Sequence, residues 1–551
     1  MDTYSPSALS YSHGVGPTPL LGQTIGDNLR ATVERHGRRG ALVVCSQNYH
    51  ATYQELWDAV TRAARGLLAL GVAPGDRVGV WSPNRYEWVV VQYATARVGA
   101  VLVNVNPAYQ AAELEYALRQ SGVGVLFRAR GFRKLDYGPL LDAARPHCPA
   151  LTRVLRFDED WSAFRASGAN VAEADLESRE RSLHFDDPIN IQYTSGTTGF
   201  PKGATLTHHN ILNNGFFVGE GLGLTESDRV CIPVPFYHCF GMVLGCLACT
   251  SHGACMVIPA ESFAAPDVLR AVKDERCTAL YGVPTMFRAL LEDPSFNEAD
   301  CRSLRTGIMS GAPCPVELMR EVTTRLHMPE AVIAYGMTET SPVSTLSARD
   351  DPLERRVATV GRVLPHLEIR VVDPATRAVL PRGAAGELCT RGYSVMRGYW
   401  DDEPATRAAI DAGRWMHTGD LAVMDADGYV HIVGRLKDLI IRGGENIAPR
   451  EVEAALHQHP AVSEAQVIGV PSRKYGEEVM AWVRLAPGAT ASEEELTRHC
   501  QERLAAFKRP RYWRFVETFP MTVTGKVQKY RLREMAVELL GLEAAAEERT
   551  A

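Results

Sequence analysis

Apolar positions recur at helical spacing over residues 53–70, and the run RVGVWS at 77–82 reads as a strand. Residues 87–98 return to a helical pattern and 100–105 to a short strand. The alternation resumes at 277–280 (strand), after Pro284 (helix) and at 306–310 (strand). Strands separated by helices predict layered α/β structure with a largely parallel sheet. After about Gly361 the texture changes. Short strands at 367–372, 386–390 and 429–434, with turn sequences DPATR and DADG between them, predict a small β-rich subdomain. Past Gly434 the chain resumes mixed α and β: a helix at 450–457, strands at 464–470 and 479–485, and a helix at 492–504. The expected organisation is an N-terminal domain at 1–434 (β-rich from about 361), a junction at 435–437, a C-terminal domain at 438–540 and a fraying tail at 541–551.

The most apolar stretch, 241–260, is interrupted by Ser251, His252 and Gly253. It falls short of the roughly 18 continuous apolar residues of a membrane span and predicts a buried helix, a turn and a strand at 254–258. The first twenty residues carry neither a basic segment followed by an apolar run nor the arginines of a transit peptide. Hydrophobic residues make up 46% and charged residues 23% of the chain, so its composition is that of a globular protein. A net charge of −6 gives no electrostatic footprint for nucleic acid. Twelve scattered cysteines suit free thiols in a reducing compartment, and a soluble, cytoplasmic protein is expected. Cys246 and Cys249 form a CxxC near Cys239 and Cys255, but their Leu, Ala and Val neighbours mark them as small buried hydrophobes rather than metal ligands.

Only eight of the 59 basic residues are lysines, so a lysine in a glycine-rich turn signals a need for a compact, flexible ammonium. Lys202, Lys437 and Lys526 lie in such places. The first closes YTSGTTGFPKG, residues 193–203, which follows an apparent strand at 189–193 and precedes a helix at 208–213. Glycines let backbone N–H groups converge on an anion, and the hydroxyls of Thr194, Ser195, Thr197 and Thr198 add donors. A solvated turn is the plain alternative. The loop's length and density favour a pyrophosphate grip, although GxxxxGK[ST] spacing is absent.

With AYGMTET (334–340), WMHTGD (415–420), GRLKDLIIRGGENI (434–447) and MTVTGKVQK (521–529), this loop makes five motifs in one order. Over about residues 53–532 the chain resembles the ANL superfamily of adenylate-forming enzymes. PFYHCFG, YGVPTMF and GELCTRGYSVMRGYW are similar to medium-chain acyl-CoA synthetases of the family member 2 type. The resemblance implies an α/β fold: a large N-terminal domain of layered subdomains with a small β-barrel-like subdomain, then a small mobile α+β C-terminal domain. It implies a two-step ligase. ATP activates a fatty, medium-chain carboxylate as acyl-AMP with loss of pyrophosphate, and coenzyme A then takes the acyl group with release of AMP.

The same resemblance assigns residues. Thr194, Ser195, Gly196, Thr197, Thr198, Gly199, Phe200, Pro201 and Lys202 would hold the phosphates. Tyr335 and Gly336 on one side, and Gly311, Ala312 and Pro313 on the other, would hold the adenine. Ala334 stands where many relatives carry an amide or an acid, which leaves adenine recognition there to backbone carbonyls. Thr338 would bond the α-phosphate, and Glu339 would ligate Mg²⁺, which prefers carboxylate and phosphate oxygens. Asp420 would accept from the ribose hydroxyls, supported by Arg435. Lys526 would bridge carboxylate and α-phosphate, and His238 would border the acyl site. Lys437 would be the pivot of a domain rotation, and Gly443 and Gly444 would form a wall free of side chains along the pantetheine path. Arg442 and the run at 507–513 would meet CoA phosphates or form a solvated basic face. PFYHCFG lacks the aspartate that would pair with an amino-acid substrate, which argues against that class. The rivals are a fatty acyl-AMP ligase loading a carrier protein, a ligase for an aryl or branched acid, and a silent nucleotide-binding protein.

Overall fold

The computed structural model describes residues 8–194, 201–312, 314–443, 445–521 and 527–542. They fall into two compact units. One comprises 12–369 and 389–417, and the other comprises the remaining described residues before 12, 370–388 and those from 418 onward.

The larger unit is built on two sheets. One orders its strands Gly398–Tyr399, Lys202–Thr207, Pro188–Thr194, Val101–Val105, Arg77–Trp81, Val125–Arg128 and Arg153–Arg156. The other runs Arg362–Val363, Val343–Leu346, Glu330–Gly336, Thr306–Ser310, Ala279–Gly282, Arg229–Cys231, Cys255–Ile258, Gly40–Val44 and Tyr49–Thr52. Both are parallel at their centres, and sequences such as RVGVW and GALVV read as continuous apolar runs because both faces are covered. A single core containing Val80, Leu102, Trp88, Leu212, Ile258 and Tyr281 joins one face of each sheet through the helices between them. The outer faces carry separate cores. The layers therefore alternate helix and sheet, as the periodicity predicts.

Two of these helices show how sequence becomes packing. Tyr53–Ala69 begins where Thr52 and Glu55 cap each other's backbone reciprocally. Tyr86–Val98 is buried from Glu87 through Val98, charges included. Burial of Glu87 is possible because Arg85 forks onto it at 2.7 and 2.9 Å and also reaches Asp158 at 2.9 Å. Arg97 pairs with Glu180 and lies 3.7 Å from the centre of the Trp57 ring.

The apolar stretch 241–260 forms a buried helix wound with π-type geometry over Phe240–Leu247, continued as Ala248–His252, then the strand Cys255–Ile258. All twelve cysteines are free. No helix among the described residues is long and apolar enough to cross a membrane.

The β-rich segment forms an open five-stranded sheet in the order Tyr11–His13, Leu367–Val372, Ala385–Gly392, Met416–Met424 and Val430–Arg435. The expected barrel-like closure is corrected here: among the described residues no pairing joins the two outer strands. The three-residue strand at one edge offers little backbone for further pairing. Met416–Met424 is missing from the sequence reading because Gly419, at φ +70°, interrupts its alternation.

In the smaller unit, Glu445–Ile447, Ile440–Arg442, Gly476–Leu485 and Val462–Ser472 form a sheet, with Tyr512–Phe515 parallel to Gly476–Leu485. Strand alternation sends Val467, Val479 and Val483 to one core with Val452, Leu456 and Leu496. Ile468, Met480 and Trp482 enter another with Leu532 and Ala536 of the helix Lys529–Leu540.

Candidate active site

The ends of the glycine-rich loop are fixed by strand pairing. Pro188–Thr194 runs antiparallel to Lys202–Thr207, and Thr194 opposite Lys202 is the last pair. The Thr194 hydroxyl donates to the Lys202 carbonyl at 3.3 Å. Where the sequence pattern predicts a loop followed by a helix, the strand Lys202–Thr207 intervenes before the helix His208–Leu222. Gly203 makes this possible, since a Cβ there would lie 2.9 Å from Ile191 Cγ2. Ser195, Gly196, Thr197, Thr198, Gly199 and Phe200 lie outside the described residues, as do Pro313, Gly444 and Lys526. Pro201 is half-buried just ahead of Lys202.

Lys202 is exposed, and its Nζ stands 5.1 Å from the centre of the Tyr399 ring. Tyr399 is carried there by the strand Gly398–Tyr399, paired with Ala204 and Thr205. Its hydroxyl donates to Glu339 Oε1 at 2.8 Å. The Glu339 carboxylate is buried, the residue being 5% exposed, and its carbonyl accepts from Met396 N–H at 2.9 Å. Burial, and then the neighbouring carboxylate, push the Tyr399 phenol well above the ordinary range, so it remains a donor. The structure thus brings together Lys202 and Glu339, 137 residues apart in the chain, through a tyrosine to which the sequence assigns no role. Its sequence signal is its place in the run GYW at 398–400.

Thr338 and Glu339 lie in the short 3₁₀ turn Thr338–Thr340. Cys239 Sγ lies 3.7 Å from Thr338 Oγ1, which seats the start of the Phe240–Leu247 helix beside this turn. Neighbouring His238 is half-buried, and its Nδ1 accepts from Phe240 N–H at 3.1 Å. An accepting Nδ1 leaves the proton of the neutral ring on Nε2. Phe236, Phe240 and Tyr281 are buried in the same core, with the rings of Phe240 and Tyr281 stacked 5.9 Å apart.

Two further segments lie at the carboxyl ends of adjacent parallel strands, where α/β sheets commonly hold ligands. Ser310 is level with Ala334, and its hydroxyl donates to the Ala334 carbonyl at 2.7 Å. Beyond these points, Gly311 (φ +87°) and Ala312 are exposed on one strand end. Half-buried Tyr335 and exposed Gly336 form the other.

The second group of predicted residues belongs to the smaller unit. Asp420 and Arg435 face each other across paired strands, with Arg435 Nε 2.9 Å from Asp420 Oδ1. Asp420 is buried and the arginine half-exposed. Lys437 is exposed in the turn Leu436–Asp438. Partial desolvation, followed by repulsion from Arg435, holds its ammonium below the ordinary lysine range. Gly443 adopts φ +61° and donates its N–H to the Tyr475 carbonyl at 2.8 Å. Arg442 pairs with buried Glu478 at 2.6 Å, and Lys508 with Glu451 at 2.6 Å, so these cations already have carboxylate partners.

Residues 29–400 match the family of AMP-binding enzymes, and residues 451–526 match the C-terminal domain of AMP-binding enzymes. The chain belongs to this family, within the ANL superfamily, and is an AMP-forming acid–thiol ligase of the acyl-CoA synthetase class that uses ATP and CoA. It is 47% identical to the putative acyl-CoA synthetase YngI of Bacillus subtilis over 546 residues, 96% of this chain and 99% of that one. It is 44% identical to the mitochondrial medium-chain acyl-CoA ligase ACSF2 of Danio rerio over 554 residues, 97% of this chain and 91% of the relative. Among solved structures, ATP-bound MatB from Rhodopseudomonas palustris superposes with a TM-score of 0.84 at 30% identity, covering 94% of this chain and 99% of that one.

Proposed function

We propose that this enzyme activates a medium-chain fatty carboxylate. The observation that carries the reading is the contact between Cys239 and Thr338, which sets a wholly apolar helix against the turn that bears Glu339. An apolar wall meeting a polar, anion-handling turn suits a substrate with a hydrocarbon tail and a carboxylate head. The relatives named as medium-chain ligases support the chain length.

In this reading Thr194, Lys202 and Thr338 bind the phosphates of ATP. Tyr335, with the exposed turn at Gly311 and Ala312, flanks the adenine, and Asp420 with Arg435 holds the ribose. Glu339 is an oxygen donor in a buried, fixed position, which fits a hard cation. Mg²⁺ held there would offset charge on the phosphates. The substrate carboxylate attacks the α-phosphate and pyrophosphate leaves. The CoA thiol, losing its proton, then attacks the acyl carbon and AMP leaves. Lys526 offsets the repulsion between carboxylate and phosphate in the first step, and His238 borders the acyl carbon. Lys437 and the Gly443–Gly444 pair serve the change between steps. The twelve free cysteines support a cytoplasmic location.

The test is thioester formation with CoA across C2 to C18 acids, with an acyl carrier protein as the competing acceptor. Maximal kcat/KM at medium-chain acids with CoA is expected. A maximum at C2 or at aryl acids, or acyl transfer only to the carrier protein, would overturn the reading.

A further inference from the structure

The geometry points to Tyr399 as the positioning residue of the nucleotide site: it fixes the Glu339 carboxylate for the metal and seats the Lys202 ammonium through one ring. This role rests on the reading of Glu339 as a metal ligand.

A glutamate carboxylate turns broadly about its last torsion. A metal ligand must instead present a chosen oxygen, and partners outside the ligand shell supply that orientation. The Tyr399 hydroxyl supplies such a contact, donating to Oε1 at 2.8 Å. A hydrogen bond to an ionised carboxylate is stronger than a neutral one, and at a 5%-exposed residue there is little water to replace it.

The tyrosine is itself held at three points. Its position is paired with Ala204. Its N–H donates to Thr406 Oγ1 at 2.8 Å. Its ring, partly buried, packs against the main hydrophobic core of the larger unit. The ring face is 5.1 Å from Lys202 Nζ, a distance at which its quadrupole attracts the ammonium. Face and hydroxyl therefore serve different partners. The face meets the cation closing the phosphate loop, and the hydroxyl meets the anion in the 3₁₀ turn. Phenylalanine keeps the first interaction and deletes the second; leucine deletes both.

The experiment titrates Mn²⁺ into the full-length enzyme with a non-hydrolysable ATP analogue, followed by calorimetry, for wild type, Tyr399→Phe, Glu339→Gln and the double variant. Tyr399→Phe is expected to weaken metal binding about 10-fold, the size typical for loss of an outer partner. It should add nothing in the Glu339→Gln background, because the group it orients is gone. Thioester formation from supplied acyl-adenylate and CoA needs neither ATP nor the metal. It should stay within about twofold of wild type in Tyr399→Phe, which separates positioning from a general packing defect. Tyr399→Leu should additionally raise the KM for ATP. Metal affinity unchanged in Tyr399→Phe, or an equal further loss in the double variant, would overturn this role alone. Wild-type binding of the analogue that ignored the metal would overturn the reading of Glu339 and this role with it.

Discussion

His208 opens the helix His208–Leu222 with no exposed surface, and its Nδ1 accepts from Ile25 N–H at 3.2 Å. Its Nε2 is buried without a hydrogen-bond partner. Burial pulls the imidazole down from 6.5 to about 4. Between those values the unfolded chain binds a proton that the folded chain does not, so stability rises with pH through this window and is lost as pH falls. Full realisation of the shift corresponds to about 3 kcal/mol. Asparagine can replace the acceptor without titrating. Thermal melts from pH 7 to pH 4 should show His208→Asn losing less stability than wild type over that range; parallel curves would refute the assignment. At this scale the sequence identified chemical types more readily than environments. Glu339 and Asp420 stand out as candidates from their motifs, whereas Tyr399 does not, because its contacts are with residues 60 and 197 positions away.

The elements that shape the site depend on close backbone approaches. At Gly336 the strand Glu330–Gly336 shifts register against Val343–Leu346, and a Cβ would fall 1.7 Å from the Pro342 carbonyl oxygen. No rotamer relieves a clash with backbone, so Gly336→Ala must move the strand end that carries Tyr335 or the turn that carries Glu339. It should lower the melting temperature by several degrees and raise the KM for ATP at least 10-fold in a pyrophosphate-release assay. An unchanged KM would show that the strand end plays no part in nucleotide binding. Periodicity disclosed Tyr53–Ala69 and Arg77–Trp81 because each buries a regular face or a continuous run. It did not disclose Lys202–Thr207, where the strand is specified by neighbours at Ile191 and Tyr399 rather than by its own pattern.

For the whole molecule, the two half-reactions make opposed demands on one set of residues. Lys526→Ala should nearly abolish acyl-adenylate formation and largely spare thioester formation from supplied acyl-adenylate. Lys437→Pro fixes φ near −65° and removes an N–H in the turn Leu436–Asp438. It should retain adenylation and lose most thioester formation. Single-turnover assays of each half-reaction decide both. Equal losses in the two steps for Lys526→Ala, or wild-type thioester formation by Lys437→Pro, would remove the respective role.

The order of motifs, the alternation of apolar runs and the scarcity of lysine determined the family, the α/β layering and the main candidate residues, because each is a local property of the chain. Tertiary structure decided that the β-rich segment stays open among the described residues, how Glu87 and Arg97 are buried as charges, and that a tyrosine joins Lys202 to Glu339. Those outcomes depend on which distant groups share a low-dielectric space, and spacing along the chain carries no record of that.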